Sequence, residues 1–270
     1  MLKRLTKAFA FLFIVLLCSF TPLAAENNGS ISGQLTNGSP GGEAPETTEV
    51  ILEKYAPESN EPEVISGQVD GDGGFIFQDL DTNSSYTYYV GAEYLGITYY
   101  SEALSFTEEQ TELTTEVKVY ETTNDASAIS IALSHTIITI DNEGLSITEF
   151  FIINNRGEYT YTGSGSAQVL GDKTVTVLLP IPAEAENVQL GPEMGDNALV
   201  TDAGLAYTAP IVPGYTPATY SYHIHTTESK YLFERQVEFQ QDKYEFLVRG
   251  AKNIDAPQLS QNEPLELEEG

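Results

Sequence analysis

The chain has 270 residues, room for one large domain or two modest ones. Hydrophobic residues make up 41%, enough for a core, while 40 acidic residues stand against 12 basic ones. Such a surface repels phosphate backbones and anionic lipid head groups, which excludes nucleic acid as a partner, and the same acidity keeps a protein soluble.

The first element is a targeting segment. Lys3, Arg4 and Lys7 form a positive start, and "AFAFLFIVLLCSF", Ala8 to Phe20, is an apolar run too short to span a bilayer comfortably. "TPLAAENN" follows, with Pro22 breaking the helix and Ala24 and Ala25 at the cleavage point, so residues 1–25 read as a secretory signal peptide. Left uncleaved, the segment would be the chain's only route to a membrane. Three of the twelve basic residues leave with it, so the remainder has nine against 40 acids, a net charge of −31. The lone cysteine, Cys18, lies in the apolar run and follows Leu17, which is not the small residue that lipidation requires. The mature chain therefore has no cysteine for a disulfide or a thiol nucleophile, and its stability rests on packing. The expected location is secreted or extracytoplasmic, in the periplasm or at the cell surface of a bacterium.

Strand signals dominate the rest. "SISGQL", "EVILEKY", "GFIFQDL", "YTYYVGAEY", "LTTEVKVYE", "IALSHTIITI", "LSITEFFIINN", "KTVTVLLPI", "ATYSYHIHT" and "KYEFLVRG" are short and rich in Val, Ile, Thr, Tyr and Phe. Gly, Asn, Asp and Pro separate them, and no 3.6-residue apolar period is sustained over a dozen residues. The expected fold class is all-β, with two β-sandwiches in tandem. The polar stretch "YETTNDASAIS" marks the boundary, giving one unit at 28–121 and a second at 128–250, followed by an acidic, flexible tail at 251–270.

Residues 29–120 carry a recurring pattern. Gly29, Ile31 and Gly33 open it, and Val50 and Leu52 form a core pair. An acidic-Gly turn runs from Asp70 to Gly74, then come Phe75, Phe77 and Leu80, then Tyr86, Tyr88 and Val90. This resembles the carboxypeptidase regulatory-like family, a seven-stranded prealbumin-like sandwich. The resemblance implies a non-catalytic accessory module whose relatives are grouped with carbohydrate-binding-like folds, and it transfers no catalytic residue. Alternation alone puts Phe75 and Phe77 on one face and Ile76 on the other, with Gly73 and Gly74 free to adopt a turn's positive φ. A sugar-binding platform needs exposed aromatics. The chain has no tryptophan but 16 tyrosines, of which Tyr89, Tyr94, Tyr99 and Tyr100 are the candidates, unless they are core and edge-strand residues. "VDGDGGF" spaces Asp70 and Asp72 like the start of a calcium loop. Gly74 replaces the third acid and Asp81 the distal glutamate, so a hairpin turn is the better reading.

In the second unit, Ile147, Glu149, Phe151 and Ile153 alternate with Thr148, Phe150 and Ile152, so both faces carry apolar weight. The layout is similar to bacterial envelope proteins in which a further sandwich follows a carboxypeptidase regulatory-like domain. "GSGSA", Gly163 to Ala167, is a Gly-Ser turn rather than a nucleophile elbow, and no phosphate-binding, zincin or dinucleotide fingerprint appears. No cofactor is expected, and no enzyme. Glu149, Glu158, Glu184 and Glu186 read as solvated. His223 and His225 share one strand face with Ser221, opposite Tyr220, Tyr222 and Ile224. They form a metal site only if His135, the third histidine, lies beside them; otherwise they are the polar face of a strand.

The sequence therefore points to an envelope-associated, non-catalytic binding or scaffolding protein whose partner is a protein or glycan at the cell envelope. Two alternatives stay open: a carbohydrate-binding module using the tyrosines, and a zinc or copper site using His135, His223 and His225.

Overall fold

The computed structural model describes residues 29–262, apart from 44, 46–48, 165–168, 171–172 and 235–237. The expected signal peptide at 1–25, with Cys18, lies outside the described residues, as do most of "GSGSA" and the last part of the tail. The part of the tail that is described, 251–262, forms no strand or helix.

The fold is all-β, as the alternation predicts. Seven strands come first: β1 (Gly29–Asn37), β2 (Glu49–Tyr55), β3 (Glu63–Gln68), β4 (Gly74–Leu80), β5 (Thr87–Tyr94), β6 (Ile97–Tyr100) and β7 (Glu112–Val119). They make a three-stranded sheet, β4-β1-β7, and a four-stranded sheet, β3-β2-β5-β6. Residues from both sheets, including Ile31, Leu35, Leu52, Phe77, Tyr88 and Val117, form one buried cluster. Phe75 and Phe77 are 5% and 4% exposed while Ile76 between them is 56% exposed, which is period-2 burial read directly off the strand. Tyr88 meets the ring of Phe106 edge-on, with centroids 5.4 Å apart, and its hydroxyl donates to the Asp81 carbonyl at 2.6 Å. A large aromatic can be fully buried here because its one polar atom is satisfied.

The turn before β4 is a hairpin. The Asp70 side chain accepts from the backbone N–H groups of Asp72 at 2.9 Å and Gly74 at 2.7 Å. Gly73 takes a φ of +86°, the conformation that favours glycine; Gly74, equally free to adopt one, does not.

The later strands are β8 (Thr122–Thr123), β9 (Ile129–Ile140), β10 (Gly144–Asn155), β11 (Thr160–Tyr161), β12 (Val169–Leu170), β13 (Lys173–Thr174), β14 (Val177–Leu179), β15 (Glu186–Leu190), β16 (Ala198–Thr201), β17 (Gly204–Tyr207), β18 (Gly214–His225) and β19 (Tyr244–Arg249). A five-stranded sheet runs β15-β18-β10-β9-β19 and a three-stranded sheet runs β14-β17-β16. A second buried cluster draws on Ile147, Phe151, Leu179, Leu205, Tyr220 and Tyr222. Inside it the ring of Tyr220 stacks on Phe151 (centroids 5.9 Å apart) and on Tyr222 (6.2 Å apart).

Glu149 corrects the sequence reading. It lies on the inward face of β10 with Ile147 and Phe151 and has no exposure at all. Glu158, Glu184 and Glu186 are exposed, as expected. The Glu149 carboxylate accepts from the hydroxyls of Thr136 at 2.7 Å and Tyr222 at 3.2 Å. A charged group is tolerated in a core only when such donors replace the water it has lost.

The stretch "YETTNDASAIS" is structured rather than loose. β8 pairs in parallel with β11, and Ala126–Ala128 form a short 3-10 turn capped by Asp125.

Candidate functional site

The outward face of the sheet β3-β2-β5-β6 carries an unusual set of side chains. The core pair Val50 and Leu52 points in, so Ile51, Glu53 and Tyr55 point out. Glu53 pairs with Val64 on β3 and Tyr89 on β5, and Gly91 on β5 pairs with Tyr100 on β6. These pairings bring residues far apart in sequence onto one patch. The Tyr100 hydroxyl donates to one Glu53 oxygen at 3.0 Å, and the Tyr55 hydroxyl donates to the other at 3.1 Å. The ring of Tyr89 stands edge-on to Tyr55, at 88° with centroids 5.8 Å apart. Tyr100 is 48% exposed and Val64 54%.

Gly91 makes room for this arrangement. A Cβ there would lie 3.0 Å from Tyr100 Cε1 and 3.1 Å from Ile51 Cγ1, so the Tyr100 ring lies over a position that no other residue could leave vacant. Burial, and then the bond to the Glu53 carboxylate, push the Tyr100 phenol up to about 12. Burial, followed by the same carboxylate, also raises Tyr55. Both phenols remain neutral donors, and Glu53 is held as a fixed acceptor with lone pairs to spare.

The four tyrosines expected as a platform divide. Tyr89 and Tyr100 belong to the outward face. Tyr99 alternates inward and is 4% exposed; its hydroxyl lies 2.9 Å from Thr160 Oγ1 and donates to the Tyr120 carbonyl at 3.1 Å. Tyr94 is half-buried and donates to Glu121 at 2.6 Å, so neither joins a common surface with the other two. Glu53 and Tyr55 were not anticipated. The alternation of "EVILEKY" against its Val50-Leu52 core pair was the available signal.

The histidines do not converge. Alternation held for β18: Tyr220, Tyr222 and Ile224 are buried and His225 is exposed. The rings of His223 and His225 are 6.3 Å apart. His135 lies on β9, separated from β18 by β10, and is level with Thr219 rather than His223 because both pair with Phe150. Two strand spacings and four residues of rise put it about 16 Å away. It contacts Glu245 instead. Among the described residues, no group of three or more His, Cys, Asp or Glu is placed to hold a metal ion. The expected zinc or copper site at His135, His223 and His225 is therefore not assembled, because the sheet order β18-β10-β9 sets the third ligand two strands away.

No helix among the described residues is long and apolar enough to cross a membrane. No family model matches the chain. No curated protein matches it. Among solved structures, the chain is similar to a candidate carbohydrate-binding protein of Pseudomonas aeruginosa, at 17% identity over 36% of this chain and 91% of that one, with a TM-score of 0.24. It is also similar to a DUF3823 family protein of Parabacteroides merdae, at 15% identity over 71% of this chain and 79% of that one, again with a TM-score of 0.24.

Proposed function

We propose that the protein is an extracytoplasmic, non-catalytic binding protein of two β-sandwich modules, residues 28–121 and 128–250, and that it binds glycan on the outward face of the sheet β3-β2-β5-β6. One observation carries this reading: the hydroxyls of Tyr55 and Tyr100 converge on Glu53 at 3.1 and 3.0 Å, on a face that leaves Tyr100 half exposed. A sugar ring presents an apolar C–H face and a rim of hydroxyl donors. Tyrosine rings pack the first, and a fixed carboxylate accepts from the second. An open sheet face suits a chain laid across it better than a small molecule that needs enclosure. The positive, apolar N-terminal segment supports export, and the resemblance of 29–120 to an accessory module supports a role without catalysis.

The test is titration of soluble neutral oligosaccharides into the purified mature chain by calorimetry or NMR. Saturable binding is expected, weakened about tenfold or more by Glu53→Ala and by Tyr100→Ala, since each removes an interaction worth roughly 1.4 kcal/mol or more. Binding that ignores both substitutions would overturn the reading, as would none at all.

A further inference from the structure

Glu53 has a feature that bears on which glycan the face would hold. Both its oxygens accept from neutral phenols, and none of the ion pairs among the described residues involves it. Its sequence neighbour Lys54 alternates to the other face of β2, where it pairs with Glu63 at 3.4 Å and lies 4.3 Å above the ring of Tyr86. The carboxylate is therefore fixed in direction and hydrogen-bonded, but its charge is not balanced by a cation. Tyr55, Tyr89 and Tyr100 surround it with aromatic rings, whose faces attract cations. Glu93 adds a second exposed acid to the same outward face. The whole chain, at −28, adds a long-range field of the same sign.

We infer that this face selects glycans bearing free ammonium groups, such as glucosamine oligomers, over their N-acetylated forms, and rejects glycans bearing uronate. The inference rests on the glycan reading above and narrows it. An ammonium placed over Glu53 gains a charge-assisted hydrogen bond and phenol faces on its flanks. An N-acetyl group offers only a neutral N–H, and a uronate meets a like charge that no cation balances. A cationic peptide fits less well. Glu53 and Tyr89 lie on β2 and β5, interior strands with both edges paired, so a strand added at the β3 or β6 edge would lie beside the carboxylate rather than over it.

The experiment titrates the mature chain with three oligomers of equal length: glucosamine, N-acetylglucosamine and galacturonic acid. It is run at mildly acidic pH, where the amine is protonated, and an oligolysine serves as a fourth probe. The glucosamine oligomer is expected to bind about tenfold tighter than the acetylated one, with no binding of the galacturonate. Glu53→Gln should bring the two hexosamine affinities to near parity. Glu109→Gln, which removes an exposed acid in the turn before β7, should leave the preference intact and so separates the site from general attraction to an acidic protein. Equal or tighter binding of the acetylated oligomer, or a preference that survives Glu53→Gln, overturns the inference while leaving the glycan reading standing. Oligolysine binding as tight as glucosamine, and equally dependent on Glu53, overturns it in favour of a general cation site. Failure of all three sugars overturns the glycan reading itself.

Discussion

The Thr136 hydroxyl donates to the Glu149 carboxylate at 2.7 Å, strand to strand, where neither residue has any exposure to water. Tyr222 supplies another hydroxyl to the same carboxylate at 3.2 Å. Glu149→Leu would leave both hydroxyls without that acceptor inside the core. A buried polar group left unsatisfied costs about 1–3 kcal/mol, so the substitution is expected to lower stability by roughly 3 kcal/mol. Urea unfolding should show a lower midpoint with an unchanged slope. The double substitution Thr136→Val with Glu149→Leu should cost less than the sum of the singles, because the hydroxyl that Glu149→Leu orphans is then gone. A neutral Glu149→Leu would show that the core does not depend on this network.

Gly91 separates binding from stability. Its backbone has no positive φ, so a larger residue meets only a steric objection, and β-branched residues suit a strand better than glycine does. Gly91→Val should therefore change stability by less than about 1 kcal/mol. The new side chain must displace the Tyr100 ring, and with it the hydroxyl on Glu53. Oligosaccharide affinity is expected to fall about tenfold. Unchanged affinity in a folded variant would mean that Tyr100 is not part of the contact surface.

The sequence made the faces of single strands legible and left the partners across strands illegible. Alternation placed Phe75 against Ile76 and Tyr222 against His223 correctly, because period 2 is a local property of the backbone. It also put Glu149 in line with Ile147 and Phe151. Its burial was not foreseen, because the hydroxyls that make it tolerable come from β9 and β18, the latter 73 positions away. Glu53 escaped notice for the same reason: Tyr100 reaches it from 47 positions away, through β5. The histidine question turned on strand order, and inserting β10 between β9 and β18 is a matter of topology that no local pattern encodes.

Alkaline stability should reflect the phenols whose titration the fold raises. Tyr88 is raised to about 12, first by burial and then by nearby Asp81; Tyr94 is raised to about 12, first by its bond to Glu121 and then by burial; Tyr100 is also at about 12. The ordinary value is 10.0, so between there and about 12 the folded chain holds protons that the unfolded chain has released. With more protons bound in the folded state, stability falls as pH rises. The contribution is complete below pH 10 and is lost through that window. Phenolate absorbance should show a late-titrating class of tyrosines in the native protein that merges with the rest in urea. Tyr100→Phe and Tyr94→Phe should each remove part of that class. A single native titration at the ordinary phenol value would contradict the hydrogen bonds to Glu53 and Glu121.

The hydroxyls of Tyr99 and Thr160 join the two cores. Tyr99 belongs to the first buried cluster, and Thr160, on β11, is fully buried beside the second. The Tyr99 hydroxyl has one proton, which goes to the Tyr120 carbonyl at 3.1 Å, so Thr160 donates to Tyr99 across 2.9 Å. Ser39 repeats the device: its hydroxyl donates to the Glu158 carbonyl at 2.7 Å and accepts from the Glu121 N–H at 2.9 Å. The parallel pairing of β8 with β11 continues directly from these bonds, Thr160 with Thr122 and Tyr161 with Thr123. A junction tied by such polar bonds couples the loss of one core to the other, since unfolding either side strands donors and acceptors of its neighbour. Calorimetry should therefore show one cooperative transition, with the calorimetric and van't Hoff enthalpies equal. Tyr99→Phe combined with Ser39→Ala removes about 1 kcal/mol of net stabilisation per bond and should split the melt into two transitions. Two transitions in the unaltered chain would show that the two cores unfold independently despite these bonds.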